Sequence, residues 1–401
     1  MTAAPDELEA VTATGTTSNR PPTPPVARWP SPGGAVRAAT LWLAARILLM
    51  AVVATAAVKQ HAGVETGFDR VLGFFSFWDS TYYLRIADLG YLPPGRPCCD
   101  QAFLPGYPLA VRFLSVLTGD PRLAAVSLSV LAGSVAAGLM WHLGWITTGD
   151  ERVAVNATLF MAVAPYGVFF SVAYTESLFL MFSLGAWAAA TRRHWWLAGG
   201  LAAGATSVRI NGVFLLAGLV VMYLVQLRAN GRRRPGWDVL ALGVPVLPVI
   251  AFFTWLHHRT GSWHAWSDAE KQGWGRHGAP PWTGLQMGVR WMLEAPTWHG
   301  QLSAAADLVA IGVGIVLIAA LIQRRRWPEV TYMTANILVL LCSNMLLSSA
   351  RYSLVWFPGY LLLAELSVQS ERRWLKPVLV TACLPALVWL SYLFANRVWM
   401  G

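Results

Sequence analysis

Phe74–Tyr91, FFSFWDSTYYLRIADLGY, follows the first strongly apolar segment of the chain. The stretch is too polar to cross a bilayer and too aromatic for an ordinary loop. Asp79 or Ser80 is suited to cap a short helix, and Gly90 to end it. Its face Trp78, Tyr82, Arg85 and Leu89 is amphipathic and rich in residues that favour a membrane–water boundary. The pattern predicts a helix lying on a membrane, with the Asp79 carboxylate held at its start.

The rest of the chain agrees with a membrane setting. Of 401 residues, 56% are hydrophobic and 12% charged, and the mean hydropathy is +0.48. A soluble chain carries about 25% charged residues. The net charge of +10 does not point to nucleic acid, because the basic residues form short runs between apolar segments. Cys342 and Cys383 fall inside apolar segments as small hydrophobes, and adjacent Cys98 and Cys99 read as free thiols rather than a strained vicinal disulfide.

The expected fold is an all-α polytopic bundle of about eleven transmembrane helices. Residues 1–36 form a Pro-rich tail without hydrophobic periodicity, and 37–401 form one membrane-embedded domain. The first span is 41–58, with Arg46 able to snorkel. Region 59–121 is the first non-cytoplasmic loop, containing a second interfacial or re-entrant helix over 102–114. Further spans are expected at 122–147, 153–173, 176–191, 195–209, 212–227, 238–256, 304–322, 329–348, 352–368 and 377–395. The fourth and fifth of these, 195–209 and 212–227, pair as a hairpin.

Arg192–Arg193, Arg228 with Arg232–Arg234, Arg324–Arg326, and Arg372–Arg373 with Lys376 all fall in short connections. Alternation puts every run on the side of the N-terminal tail, which the positive-inside rule makes cytoplasmic. The expected location is the plasma membrane, N-terminus inside and active site outside.

That layout gathers the polar residues without a packing role at the outer ends of spans. They are Asp79, Tyr174 and Glu176 (in SVAYTESLF), Arg209 and Asn211 (in SVRING), and Arg351 and Tyr352 (in SSARYSL). Ionisable groups at membrane depth are costly and mark function or pairing. Asp79 and Glu176 are the candidate catalytic acids; each also suits a helix N-terminus. Arg209 and Arg351 are matched to phosphate, or to carbonyls and headgroups. Trp78, Tyr82, Tyr83 and Tyr174 join Asn211 and Tyr352 as candidate substrate contacts. Region 257–303 is a Trp-rich outer loop whose tryptophans suit either the interface or sugar stacking. Its histidines lack ligand spacing, so no metal site is assigned, although a divalent cation is compatible with the chemistry. There is no P-loop, dinucleotide fingerprint, GxSxG or HExxH sequence.

WDSTYYLRIADLGY followed by AFLPGYPLA resembles the first luminal loop of the PIG-V mannosyltransferase family. FFSVAYTESLF and SVRING are similar to that family's later blocks, in the same order, and the resemblance runs from about Phe74 to Gly212. It departs at Tyr82, where the family has histidine, at LPPGRPCCDQ, where Asp100 is the nearest substitute for a family acid, and at Ala164-Pro165, where the family has Asn-Pro.

The resemblance implies a C-type integral-membrane glycosyltransferase that moves a hexose, typically mannose, from a polyprenyl-phosphate donor with inversion. The expected partners are membrane lipids, the lipid-linked donor, and a glycolipid, glycan or protein acceptor. Asp79 would be the base, Arg209 and Arg351 would offset the phosphate charge, and Glu176 would orient the acceptor or a cation. The alternative is a secondary transporter with Asp79 and Glu176 as ion or proton sites; the absence of an internal repeat in the sequence counts against it.

Overall fold

The computed structural model describes residues 32–60, 68–92, 98–231 and 234–399. The tail up to residue 31 and Arg232–Arg233 lie outside the described residues. Helices in order are α1 Pro32–Gln60, α2 Phe68–Gly73, α3 Ser80–Leu89, α4 Gly106–Thr118, α5 Pro121–Thr148 and α6 Glu151–Ala162. They continue with α7 Glu176–Thr191, α8 Trp195–Val208, α9 Gly212–Ala229, α10 Val246–Thr260, α11 Ala265–Trp274 and α12 Pro281–Glu294. The last are α13 Trp298–Gln323, α14 Trp327–Leu341, α15 Ser349–Tyr352, α16 Phe357–Ser367 and α17 Leu375–Ala395. The chain is an all-α, multi-pass membrane protein.

Among the described residues, six helical stretches are long and apolar enough to cross a membrane: 33–59, 121–148, 212–229, 237–260, 298–323 and 370–395. The other expected spans are shorter or broken. α7 and α8 have 16 and 14 residues. The span expected over 153–173 is helical only to Ala162, ahead of Pro165, and continues as a 3-10 turn at Gly167–Phe170. The one expected over 329–348 stops at Leu341, and the one over 352–368 becomes α-helical again at Phe357. α1 starts at Pro32, inside the stretch assigned to the tail, because proline suits the first turn of a helix.

α5 is the central helix, packed against α1, α6 and α7, while α7 in turn packs on α8. The basic runs lie at one set of helix ends: Arg192 follows α7, Arg228 ends α9, Arg324 follows α13, and Arg372–Arg373 precede α17. Glu176 and Asn211 stand at the opposite ends of α7 and α9. Arg326 is more than a topology signal, since it pairs with Glu329 at 2.9 Å and with Glu365 on α16.

A break in a membrane helix frees carbonyls that lipid cannot satisfy. Arg46 answers this at the middle of α1. It does not snorkel: it is 2% exposed, and its guanidinium donates to Gly167 O at 3.0 Å and to Ala162 O. The Trp42 and Phe170 rings cover it at 4.9 and 5.7 Å. Arg46→Leu is expected to lose both charge-assisted bonds, at about 1–3 kcal/mol each. The check is a lower melting temperature of the detergent-solubilised protein than for wild type.

Candidate active site

The expected α3 forms and ends at Gly90, whose φ of 76° is easy for glycine. Asp79 does not cap it. The residue is already helical in its backbone (φ −59°, ψ −24°) and makes no side-chain cap bond. Its carboxylate turns away instead and accepts from Arg351 Nη1 at 3.0 Å. The backbone N–H of Asp79 donates to the Tyr174 hydroxyl at 3.2 Å, which fixes the start of α3 against the loop before α7.

Both halves of this ion pair follow a strained residue. Trp78 has φ 62° and Ser348, which opens the turn carrying Arg351, has φ 66°. A left-handed non-glycine residue costs about 1–3 kcal/mol and persists only where its surroundings impose it. Trp78 is anchored by the Trp399 ring at 5.3 Å, and the backbone N–H of Ala350 is held by buried Asp307 of α13 at 2.7 Å.

Arg209 is presented by the turn between α8 and α9. A Cβ on Gly212 would stand 2.5 Å from Thr206 Cα, so glycine lets that turn close. Arg209 Nη1 donates to Thr175 Oγ1 at 2.7 Å and to Glu176 Oε1 at 2.9 Å. Arg351 Nε lies 3.6 Å from the same Glu176 oxygen. Arg351 therefore stands between Asp79 and Glu176, and Arg209 shares the Glu176 Oε1 atom with it. The Glu176 side chain is 0% exposed, so it is sealed behind the two guanidiniums.

Asp79, Tyr83, Arg209, Asn211, Arg351 and Tyr352 line one cleft with about 1170 Å³ of empty space, part of it open to the outside. Around the Tyr352 ring are three guanidiniums, Arg209 at 5.0 Å, Arg351 at 5.6 Å and Arg276 at 5.8 Å. Three cations so close on one ring form a strongly positive locus, balanced by Asp79, Glu176 and Glu270.

The surrounding structure ties in the other candidates and Asn211. Tyr174 is buried and supports Asp79, while Asn211 donates to Asn336 Oδ1 at 2.9 Å. Tyr82 stacks on Phe103 at 5.0 Å and touches Trp274 at 5.5 Å, outside the cleft lining. Trp78 is 39% exposed. Asp100 pairs with Arg85.

Trp266 and Trp274, two of the tryptophans read as suited to the interface or to sugar stacking, line the cleft, and with them stand Glu270, Arg276 and Trp399, which no sequence signal singled out. Cys98 and Cys99, expected as thiols, are joined as a vicinal disulfide, with Cys99 buried among Ala102 and Ala269. Among the described residues no three His, Cys, Asp or Glu side chains converge as a metal site.

The family model described as Mannosyltransferase (PIG-V) matches residues 48–230, which include Asp79, Glu176 and Arg209. Over that stretch the chain is similar to the PIG-V family, and the match supports its assignment there. It is 35% identical over 166 residues to the GPI alpha-1,6-mannosyltransferase 2 of Cricetulus griseus, covering 39% of this chain and 33% of that protein. The Mus musculus protein of that name is 34% identical over 160 residues, covering 37% and 32%. For the Homo sapiens protein the identity is 31% over 160 residues, with the same coverage of 37% and 32%. The matched stretch thus spans about a third of the length of these relatives. Arg276, Arg351 and Tyr352 lie outside the part of the chain that the PIG-V model matches.

Removing one member of a buried ion pair leaves its partner charged and unpaired, at about 3–5 kcal/mol. Glu176→Gln is expected to lower the melting temperature accordingly, and adding Arg209→Met to restore part of it. Melting curves of the three proteins in one detergent test this, with equal destabilisation of single and double variants counting against the pairing.

Proposed function

We propose that this chain is an inverting glycosyltransferase that moves a hexose, mannose in the first instance, from a polyprenyl-phosphate donor to a lipid, glycan or protein acceptor. The observation that carries the reading is the position of Asp79. It is a carboxylate on the wall of a cleft beside a cluster of guanidiniums, within the stretch that matches the PIG-V family model.

Inverting transfer needs a base at the acceptor hydroxyl and positive charge at the departing phosphate, but no covalent sugar intermediate. Asp79 fits the first requirement, Arg351 and Arg209 the second. In the resting site Arg351 is spent on Asp79. An incoming phosphate competes for that guanidinium, so donor binding would release the carboxylate to take the proton of the acceptor hydroxyl as the sugar–phosphate bond breaks. Glu176, sealed from the cleft, acts by positioning Arg209 and Arg351 rather than by touching substrate. This burial also favours the transferase over a transporter, whose ion sites must open to a path.

The cleft lies at the helix ends remote from the basic runs. With the positive-inside rule this supports an extracytoplasmic site. An impermeant thiol reagent on intact cells is expected to label Gln272→Cys, exposed on α11, and not Gln323→Cys, exposed at the end of α13. The reverse pattern would invert the orientation.

For the chemistry, purified protein given polyprenyl-phosphate mannose and a panel of acceptors is expected to transfer the sugar. Asp79→Asn should lose about 10²–10⁴-fold in turnover while keeping donor binding. Unchanged transfer by that variant would remove Asp79 as base, and no transfer from any polyprenyl-phosphate donor would remove the donor class.

A further inference from the structure

Arg276 is the cleft guanidinium whose strongest interactions are not with a carboxylate. Arg209 is bonded to Glu176 and Thr175, and Arg351 to Asp79. Arg276 instead donates Nη2 to Leu347 O at 2.8 Å and Nη1 to the Tyr352 hydroxyl at a long 3.4 Å. Its Nε is buried and has no hydrogen-bond partner. Its one nearby carboxylate, Glu270, is 3.9 Å away, too far for a hydrogen bond. Burial pushes the Glu270 carboxyl above the ordinary range, with Arg276 opposing, as expected of a loose pair.

The segment that carries Arg276 is fastened in place. His277 N donates to Asn344 Oδ1 and Asn344 Nδ2 to Gly275 O, each at 3.0 Å. Asn344 N donates to His277 O and Ala279 N to Cys342 O, also at 3.0 Å. The Trp-rich region is thereby strapped across the broken end of α14, and the guanidinium is fixed over Tyr352 before any ligand arrives. A preorganised donor with unspent bonding capacity, in a positive cleft, is what an anionic oxygen requires.

We infer that Arg276 is a phosphate-binding residue for the lipid-linked donor, and that Glu270 is a weak internal competitor displaced when the phosphate binds. The inference rests on the polyprenyl-phosphate reading above and adds to it a residue outside the family match. Arg276 acts on donor affinity; its role is binding, not proton transfer.

The test uses the full chain in nanodiscs, titrated with polyprenyl phosphate lacking a sugar and, separately, with the neutral polyprenol. Wild type is expected to prefer the phosphate. Arg276→Gln should weaken phosphate binding about 10–100-fold, the size of a lost charge-assisted hydrogen bond, and leave polyprenol binding unchanged. Arg276→Lys should recover part of the loss. Glu270→Gln should tighten phosphate binding several-fold, an outcome that a purely structural Arg276–Glu270 pair does not give. Wild-type phosphate affinity in Arg276→Gln overturns the inference alone. Should that variant fail to fold, unchanged or weaker binding by Glu270→Gln overturns it. Equal affinity of wild type for phosphate and polyprenol overturns the donor class and this inference together.

Discussion

The site depends on one guanidinium between two carboxylates. Arg351 reaches Asp79 across 272 positions of sequence and stands within 3.6 Å of Glu176 on another helix. In a low-dielectric interior none of the three charges is tolerable alone, so the segments that carry them are locked together by the cost of separating them. The Asp79 N–H to Tyr174 hydroxyl bond adds a second tie between the start of α3 and the loop before α7. Arg209 completes the arrangement by bonding to the same Glu176 oxygen that Arg351 approaches.

Charge pairing of this kind needs backbone that helices do not supply. The segments contributing Arg209 and Arg351 lie where helices stop or turn, and Trp78 and Ser348 hold left-handed conformations beside the ion pair. Membranes tolerate irregular backbone only where protein buries it or a polar cavity meets it. The cleft meets that condition on the Arg351 side. Away from the cleft, Arg46 does it for the broken stretch after α6, by donating to its carbonyls. The shortened and interrupted spans and the polar site are therefore one feature: the helices end where the chemistry is placed.

The hydrophobic pattern was readable because it repeats over long windows. It located α5, α7 and α9 to within a residue or two at most ends, and the alternation of basic runs brought Asp79, Glu176, Arg209 and Arg351 to one face. Local preference was less informative. Asp79 looked like a cap, and a stronger partner far away in the chain took its carboxylate. Arg46 was expected to reach for the membrane surface, but unpaired carbonyls lay closer. Arg276 carried no motif, since its position depends on a strap between two segments that only folding brings side by side.

By itself the sequence determined a helical membrane protein, the order of its apolar segments, and a family signature through Asp79, Glu176 and Arg209. These follow from composition and from patterns confined to short stretches. The tertiary structure alone decided that Asp79 faces the cleft while Glu176 is sealed behind it, and that Tyr352 is ringed by three guanidiniums. The physical reason is the range of the forces. Hydrophobic periodicity is a property of neighbours along the chain, whereas the partner of a buried charge is whichever opposite charge packing brings within a few ångströms.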